Sequence, residues 1–381
     1  RQGELPREPI PLWRRQIGGG YSGPLVADGR VWVHSRQGEE EVVSCLKLAT
    51  GEVLWRRSYA APFRQDSSAR SHGLGPYATP VLREGRLFTF GVTSILMVWD
   101  AVDGRLLWRR DSAEEFAPAF PYFGAASSPL VWRDRVLVHL GGHPRGRMED
   151  ASSGAMVALR VADGSEIWRW VGDPPAVGAT PVAFEVGGQP QIVFKTLRLM
   201  VGVDPRSGRE LWRVPWPVRE DNTIVTPLVL DGRLITSDFD RGLSAWAVES
   251  EGHSWTLRRL WESREASMSM SSPVRAGGMV VGFSHLHRGQ LFVLDAATGE
   301  VTWRGPARRG EHATLVSWGD EVLVFADDGW LTVHEVEDRR LVELARYRLG
   351  DTVGWSHPAV ADGGIVYRDD ASLVVAALSP P

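Results

Sequence analysis

Apolar residues along this chain come in short β-branched runs that stop abruptly at Gly, Asp or Pro. Eight of them stand out: RVWVHS (30–35), RLFTFG (86–91), RVLVHL (135–140), QIVFKT (191–196), RLITSD (233–238), MVVGFS (279–284), EVLVFA (321–326) and GIVYRD (364–369). Runs of this length and composition read as buried strands rather than helices. Each is preceded by a turn pair: Asp28-Gly29, Glu84-Gly85, Asp134-Arg135, Gly187-Gly188, Asp231-Gly232, Gly277-Gly278, Gly319-Asp320 and Asp362-Gly363. Such pairs supply the positive φ angles of two-residue hairpins. Ahead of each turn lies a short opening strand, usually led by small residues and proline: Ser22-Gly23-Pro24, Ala78-Thr79-Pro80, Ser127-Ser128-Pro129, Ala179-Thr180-Pro181, Val225-Thr226-Pro227, Ser271-Ser272-Pro273, Ala313-Thr314-Leu315 and Ser356-His357-Pro358.

Behind each run the pattern closes in one recurring way. The segment LDAATGEVTWR (294–304) reads as a strand end, a tight turn at Thr298-Gly299 and an outgoing strand carrying Trp303. Variants recur as LKLATGEVLWR (46–56), WDAVDGRLLWR (99–109), LRVADGSEIWR (159–169) and VDPRSGRELWR (203–213). Opening, central, third and outer strand make four per unit, and the openings recur every 42 to 56 residues. That period predicts an all-β fold, an eight-bladed β-propeller of four-stranded antiparallel blades. Unit 5 lacks the tidy turn and carries a polar insert at Glu249 to Ser254; unit 7 has an apolar position near Leu344 where the tryptophan is expected. Unit 8 runs out after three strands. Leu12 to Ile17, LWRRQI, resembles an outer strand whose own unit is missing. An open ring would leave unpaired N–H and C=O groups along the terminal blade, so the N-terminal strand is expected to close blade 8. Residues 1–11 are expected to be an extended arm and 12–381 a single propeller domain. Inserts at Ala60 to Gly75, Ser112 to Gly124, Gly141 to Ser153 and Arg264 to Met270 depart from the template and belong on the ring faces, where function is grafted.

Composition narrows the classes. Hydrophobic residues make up 43% and charged residues 24% of the 381, as in a globular domain with a substantial core. A formal net charge of −4 offers no field for a nucleic-acid backbone. The basic residues are nearly all arginine, with Lys47 and Lys195 the two lysines, and many sit in Trp-Arg pairs on outer strands that face solvent. Cys45 is the single cysteine, so no internal disulfide or cysteine cluster can form, and a strand-buried thiol is expected. No apolar run reaches the ~18 residues of a membrane span. The chain begins at Arg1, which fits a removed secretory segment upstream.

Most chemical motifs dissolve on inspection. Gly18 to Gly23 matches GxGxxG formally but precedes an innermost strand, with no helix behind it, and reads as a flexible connection. Asp238-Phe239-Asp240-Arg241-Gly242 and Asp327-Asp328-Gly329 lack the further ligands of a calcium loop and read as turns. His285-Leu286-His287 puts two histidines on one side of a predicted strand without a placed third ligand.

The repeated Leu/Val-Asp-x-x-Thr/Asp/Ser-Gly-x-x-x-Trp segment resembles the tryptophan-docking repeat of the PQQ-like β-propeller superfamily over essentially the whole chain. The resemblance implies one of two functions. The first is a non-enzymatic, exported bacterial scaffold, periplasmic or otherwise extracytoplasmic, that binds a protein partner or ligand on one face in the manner of BamB-like proteins. It would be a monomer with no nucleic-acid partner, not membrane-spanning, with room for a lipid anchor upstream of residue 1. The alternative is an oxidoreductase dependent on pyrroloquinoline quinone or a metal, working at the axial funnel. That branch usually carries quinone and calcium, a vicinal disulfide, an aspartate base and a Glu/Asn/Asp ligand set. Cys45 alone excludes the vicinal disulfide and Asn222 is the one asparagine, so the sequence supports no cofactor.

Innermost strands converge on the axis of a propeller, so residues just ahead of each opening should ring one mouth of the channel. Those positions are His72, Asp221, Asn222, Met268, Met270, Glu311, His312, Asp351, Trp355 and His357. Blades 7, 8, 1 and 2 are neighbours around the ring, so three histidines and two carboxylates should share one arc, where they could shift one another's pKa values or hold a metal.

Overall fold

The computed structural model describes residues 9–66, 72–143, 154–219, 223–252, 254–350, 355–361, 364–369 and 371–378. Eight four-stranded sheets follow one another: blade 1 at 25–60, blade 2 at 81–111, blade 3 at 130–171, blade 4 at 182–215, blade 5 at 228–263, blade 6 at 274–304, blade 7 at 313–348 and blade 8 at 359–377. Seven are simple antiparallel meanders. Blade 8 takes its outer strand, Ile10–Gln16, from the other end of the chain, with Trp13 opposite Val375 and Gln16 opposite Ser372. That strand begins two residues before Leu12, inside the expected arm.

The burial pattern explains why the central runs look the way they do. The second and third strands of every blade are covered on both faces by neighbouring blades, so apolar residues occupy successive positions instead of alternating. Val31 and Val33 are buried, and so is Trp32 between them. The outer strands are mostly exposed, as in Val53–Ala60, where Trp55 is the one buried residue. The core is accordingly a set of slabs between blades. Phe88 and Leu96 of blade 2 pack against Val136 and Val157 of blade 3, and comparable clusters fill the other seams around the ring.

The recurring turn locks five of these seams. Trp13, Trp55, Trp108, Trp168 and Trp261 each lie flat over a turn glycine of the next blade, namely Gly51, Gly104, Gly164, Gly208 and Gly299, and a Cβ on any of these would come within 2.8 Å of the ring. Each indole N–H donates to a carbonyl in that same turn, of Leu48, Ala101, Val161, Pro205 and Ala296 respectively. The glycines also have φ near +70°, which a side chain resists. A register shift in the outer pair of all eight blades sets the angle at which this residue leaves the strand.

Several local expectations shift. In unit 7 the tryptophan position is Ala345, opposite Val333, and not Leu344, because the register shift moves the alignment by one. The third hairpin turns at Arg133 and Asp134, Arg133 having φ of 53°, since Trp132 pairs with Arg135. The polar insert of unit 5 prolongs a hairpin of two ten-residue strands, Gly242–Glu251 and Ser254–Ser263. Gly18 to Gly23 is no flexible connection. Gly19 bridges Arg36, Gly18 donates to Ala371 O, and a Cβ on Gly18 would sit 2.3 Å from Arg36 O.

Between blades 4 and 5 the docked indole is replaced. Trp212 folds over Gly202 of its own blade and donates to Gln191. The seam is joined instead by Lys195, whose ammonium donates to Asp238 Oδ2 at 2.6 Å and to the carbonyls of Val225 and Ser237. Asp238 also accepts from Trp216 Nε1 and the N–H groups of Ile224 and Val225. Both side chains are fully buried. Burial pushes the Lys195 pKa down against the pull of Asp238, and the complete set of partners is what makes a buried ion pair tolerable. Asp238, expected to serve a turn, is thus a seam residue.

Candidate functional site

The openings build the wall of the axial channel. In blades 2 to 6 the residue before the proline supplies a hydroxyl that accepts the backbone N–H of its counterpart in the preceding blade. Gly23 N–H donates to Thr79, Thr79 to Ser128, Ser128 to Thr180, Thr180 to Thr226 and Thr226 to Ser272, at 3.0 to 3.2 Å. A hydroxyl on one carbon reaches the next backbone without bulk, and the following proline holds its neighbour extended. This is the physical reason for the Ser/Thr-Pro signature. His357 occupies the same place in blade 8. Its counterpart in blade 1 is Gly23, where a Cβ would meet the backbone O of His357 at 2.9 Å, so the missing side chain lets the two backbones approach.

Inside this ring lies a cavity of about 200 Å³, bounded by the hydroxyls, Ile224, Met270 and His357. Its mouth is covered by aromatic side chains gathered around Trp355. His312 stacks flat on the indole at 4.6 Å and 3°, Tyr21 stacks at 5.6 Å, and His72 meets it edge-on at 5.0 Å. Phe123 packs on His72, and Tyr77 on Phe123 and Tyr21. His312 is held from both sides, by Ser271 and Thr314. Desolvation lowers the pKa of His72, opposed by Glu311, and also that of His357, which is accessible to solvent in the cavity it lines. At neutral pH both are therefore uncharged.

Of the residues expected at the mouth, His72, Met270, His312, Trp355 and His357 line this cavity. Met268 is packed in the seam between blades 5 and 6. Glu311 faces outward into a neighbouring dish, because its N–H and that of His312 are both tied to the Asp327 carboxylate beneath. Asp221, Asn222 and Asp351 lie outside the described residues. All three histidines line the cavity, His72 and His312 against the Trp355 indole, and no group of three or more His, Cys, Asp or Glu able to hold a metal exists among the described residues. His285 and His287 are not on one strand either. They flank Leu286 in a short 3-10 turn, with His285 stacked on Phe239 at 4.8 Å. Cys45 is buried, and burial pushes its thiol up to about 11.

A quinone with calcium calls for carboxylate and carbonyl oxygens aimed into the channel. The described lining offers hydroxyls, imidazoles and aromatic rings and no carboxylate. The cavity is also smaller than the roughly 300 Å³ at which ligand pockets begin. On its own this lining does not supply that ligand set. The hydroxyl ring and the aromatic cover were not foreseen as units; the run of Ser/Thr before proline was the signal for the first.

Comparison with known proteins was consistent with this architecture. A family model described as outer membrane protein assembly factor BamB matches residues 39–305, more than half of the chain. The BamB of Shewanella oneidensis is 24% identical over 299 residues, covering 67% of this chain and 70% of that protein. Among solved structures, BamB from Moraxella catarrhalis superposes with a TM-score of 0.66 at 15% identity, over 97% of this chain and 99% of that one. A quinohemoprotein alcohol dehydrogenase from Comamonas testosteroni gives 0.68 at 13% identity, over 98% of this chain and 77% of that one. At such identities the structural likeness speaks for the fold alone.

Proposed function

This chain belongs to the family described as outer membrane protein assembly factor BamB, and on that footing we propose that it is an extracytoplasmic, non-catalytic propeller that presents the channel-mouth face of its ring to a protein partner in outer-membrane assembly. The observation that supports the reading is the aromatic cover over Trp355. It fills the funnel where a cofactor and substrate would enter, and leaves that face as a surface formed by blade-to-blade linkers. No helix of the described residues is long and apolar enough to cross a membrane, which is compatible with an exported ring held near the envelope by its partner.

A photo-crosslinking amino acid placed in intact cells at the exposed Arg264 on the mouth face, or at Asp231 on the hairpin face, tests the reading. Adducts to an outer-membrane assembly protein are expected from the first position and not the second. Adducts from neither, or only from the hairpin face, count against it. The oxidoreductase alternative is separated by an absorption spectrum of the purified chain with added pyrroloquinoline quinone and calcium. No bound-quinone band is expected, and one quinone per chain retained through gel filtration would overturn the reading.

A further inference from the structure

Beside the aromatic cover, on the same face, blades 5, 6 and 7 enclose a second concavity of about 730 Å³, an open dish. Its floor is the Phe239 ring stacked on His285, together with Met270 and Ser269. Arg288 and Arg308 stand on its rim and Glu311 at its side. His285 lies 3.4 Å from Asp240, which is itself paired with Arg219.

The two rim arginines are unusual in their backbone and in their company. Arg288 follows His287 in the left-handed region, with φ of 61° and 57°, and Arg308 has φ of 62°. None of these is a two-residue hairpin turn, where such angles are routine. Strained residues of this kind persist only where the surroundings fix them. Here three backbone hydrogen bonds do so, Arg308 N–H to His287 O, Arg309 N–H to Gly289 O and Gly310 N–H to Arg288 O, which fasten one loop to the other. Most arginines of the outer strands are paired with carboxylates, whereas Arg288 and Arg308 are exposed and, among the described residues, form no ion pair.

We propose that this dish is the docking surface for an extended acidic segment of a protein partner, with an apolar or aromatic side chain on Phe239 and Met270 and carboxylates on Arg288 and Arg308. This rests on the reading that the chain binds a protein, and specifies where and by what chemistry. Two guanidiniums on a fixed backbone present planar donor forks to carboxylates at the rim, and the floor between them is largely apolar, so a strand alternating acidic and apolar residues can lay its apolar face on the floor and hold its acidic side chains up at the rim.

The test uses the full chain and a ten-residue peptide alternating glutamate with phenylalanine, its glutamine counterpart, and vesicles of phosphatidylglycerol and phosphatidylcholine. The glutamate peptide is expected to bind about tenfold more tightly than the glutamine one, and to weaken as salt is raised. The double variant Arg288→Gln/Arg308→Gln should lose that preference with an unchanged melting temperature. Equal binding of the two peptides, or a preference kept by the double variant, overturns the proposal, as does arginine-dependent binding to the anionic vesicles in place of the peptide. Where crosslinking has identified a partner, the double variant should capture it at least severalfold less. Undiminished capture would sink the docking surface while leaving the scaffold reading standing, and an absence of any partner would sink the scaffold reading while the peptide titration still decides the surface.

Discussion

Single side chains carry most of what is specific to this propeller. His139 and His334 are enclosed in seams, His139 donating from Nε2 to Asp173 O and His334 bonded to Thr332. Burial lowers each pKa from 6.5 to about 4. Both are neutral in the fold until about pH 4, whereas the unfolded chain takes up those protons near pH 6.5. The unfolded state therefore binds more protons between the two values, so stability is intact above pH 6.5 and drains away as pH falls toward 4, by about 3 kcal/mol per histidine at full extent. Thermal melts from pH 7 to 4 should show the loss, and His139→Gln/His334→Gln, which cannot titrate, should flatten the curve. An unaltered slope in that variant would refute the assignment. Residues of this kind were the least legible in the sequence. Lys195 and Asp238 sit 43 positions apart and reveal nothing until the ring brings blade 4 against blade 5. His72, His312 and His357 could be placed at the mouth from strand order, while the packing of His72 and His312 on Trp355 depends on linker paths that no periodicity encodes.

Elements were far more legible, because each has a local cause. Alternating turn pairs and apolar runs give the hairpins, and one Gly-x-x-x-Trp spacing gives the contact from blade to blade. What escaped was where the chain departs from the rule: Ala345 stands in for an indole one residue from where it was expected, and the unit 5 insert became more strand. The docking contact makes a sharp comparison. Gly208 has φ of 70° with the Trp168 ring 2.5 Å from its missing Cβ, while Gly187 has φ of 56° with nothing within 4 Å. Gly187→Ala should cost about 1 kcal/mol, the backbone strain alone. Gly208→Ala adds overpacking and should cost about 2–5 kcal/mol, read as a lowered midpoint in urea with an unchanged slope. Equal losses at the two sites would mean that the indole yields freely and does not lock the seam.

At the scale of the molecule, eight slabs of core share one closed circuit, so each seam depends on the rest. Removing residues 1–17 strips blade 8 of its outer strand, deletes the Trp13 cover on Gly51 and leaves Asp369 without Arg14. The truncated chain should melt lower and scatter light as its bare edge pairs with other copies; a monomer with the native melting temperature would show that the closure is dispensable. The same closure has a bearing on the order of events in the cell. Ribosomes and export channels deliver a chain from its N-terminus, so Ile10–Gln16 emerges before blades 1 to 7, and its partner Ser372–Ala377 only after them. While blades 1 to 7 are delivered this strand lacks its native partner, and it displays Ile10 and Leu12, both exposed even in the finished ring. Until blade 8 is delivered, this strand is an unpaired edge in need of custody, and the time spent waiting is set by the rate of delivery rather than by the rate of folding.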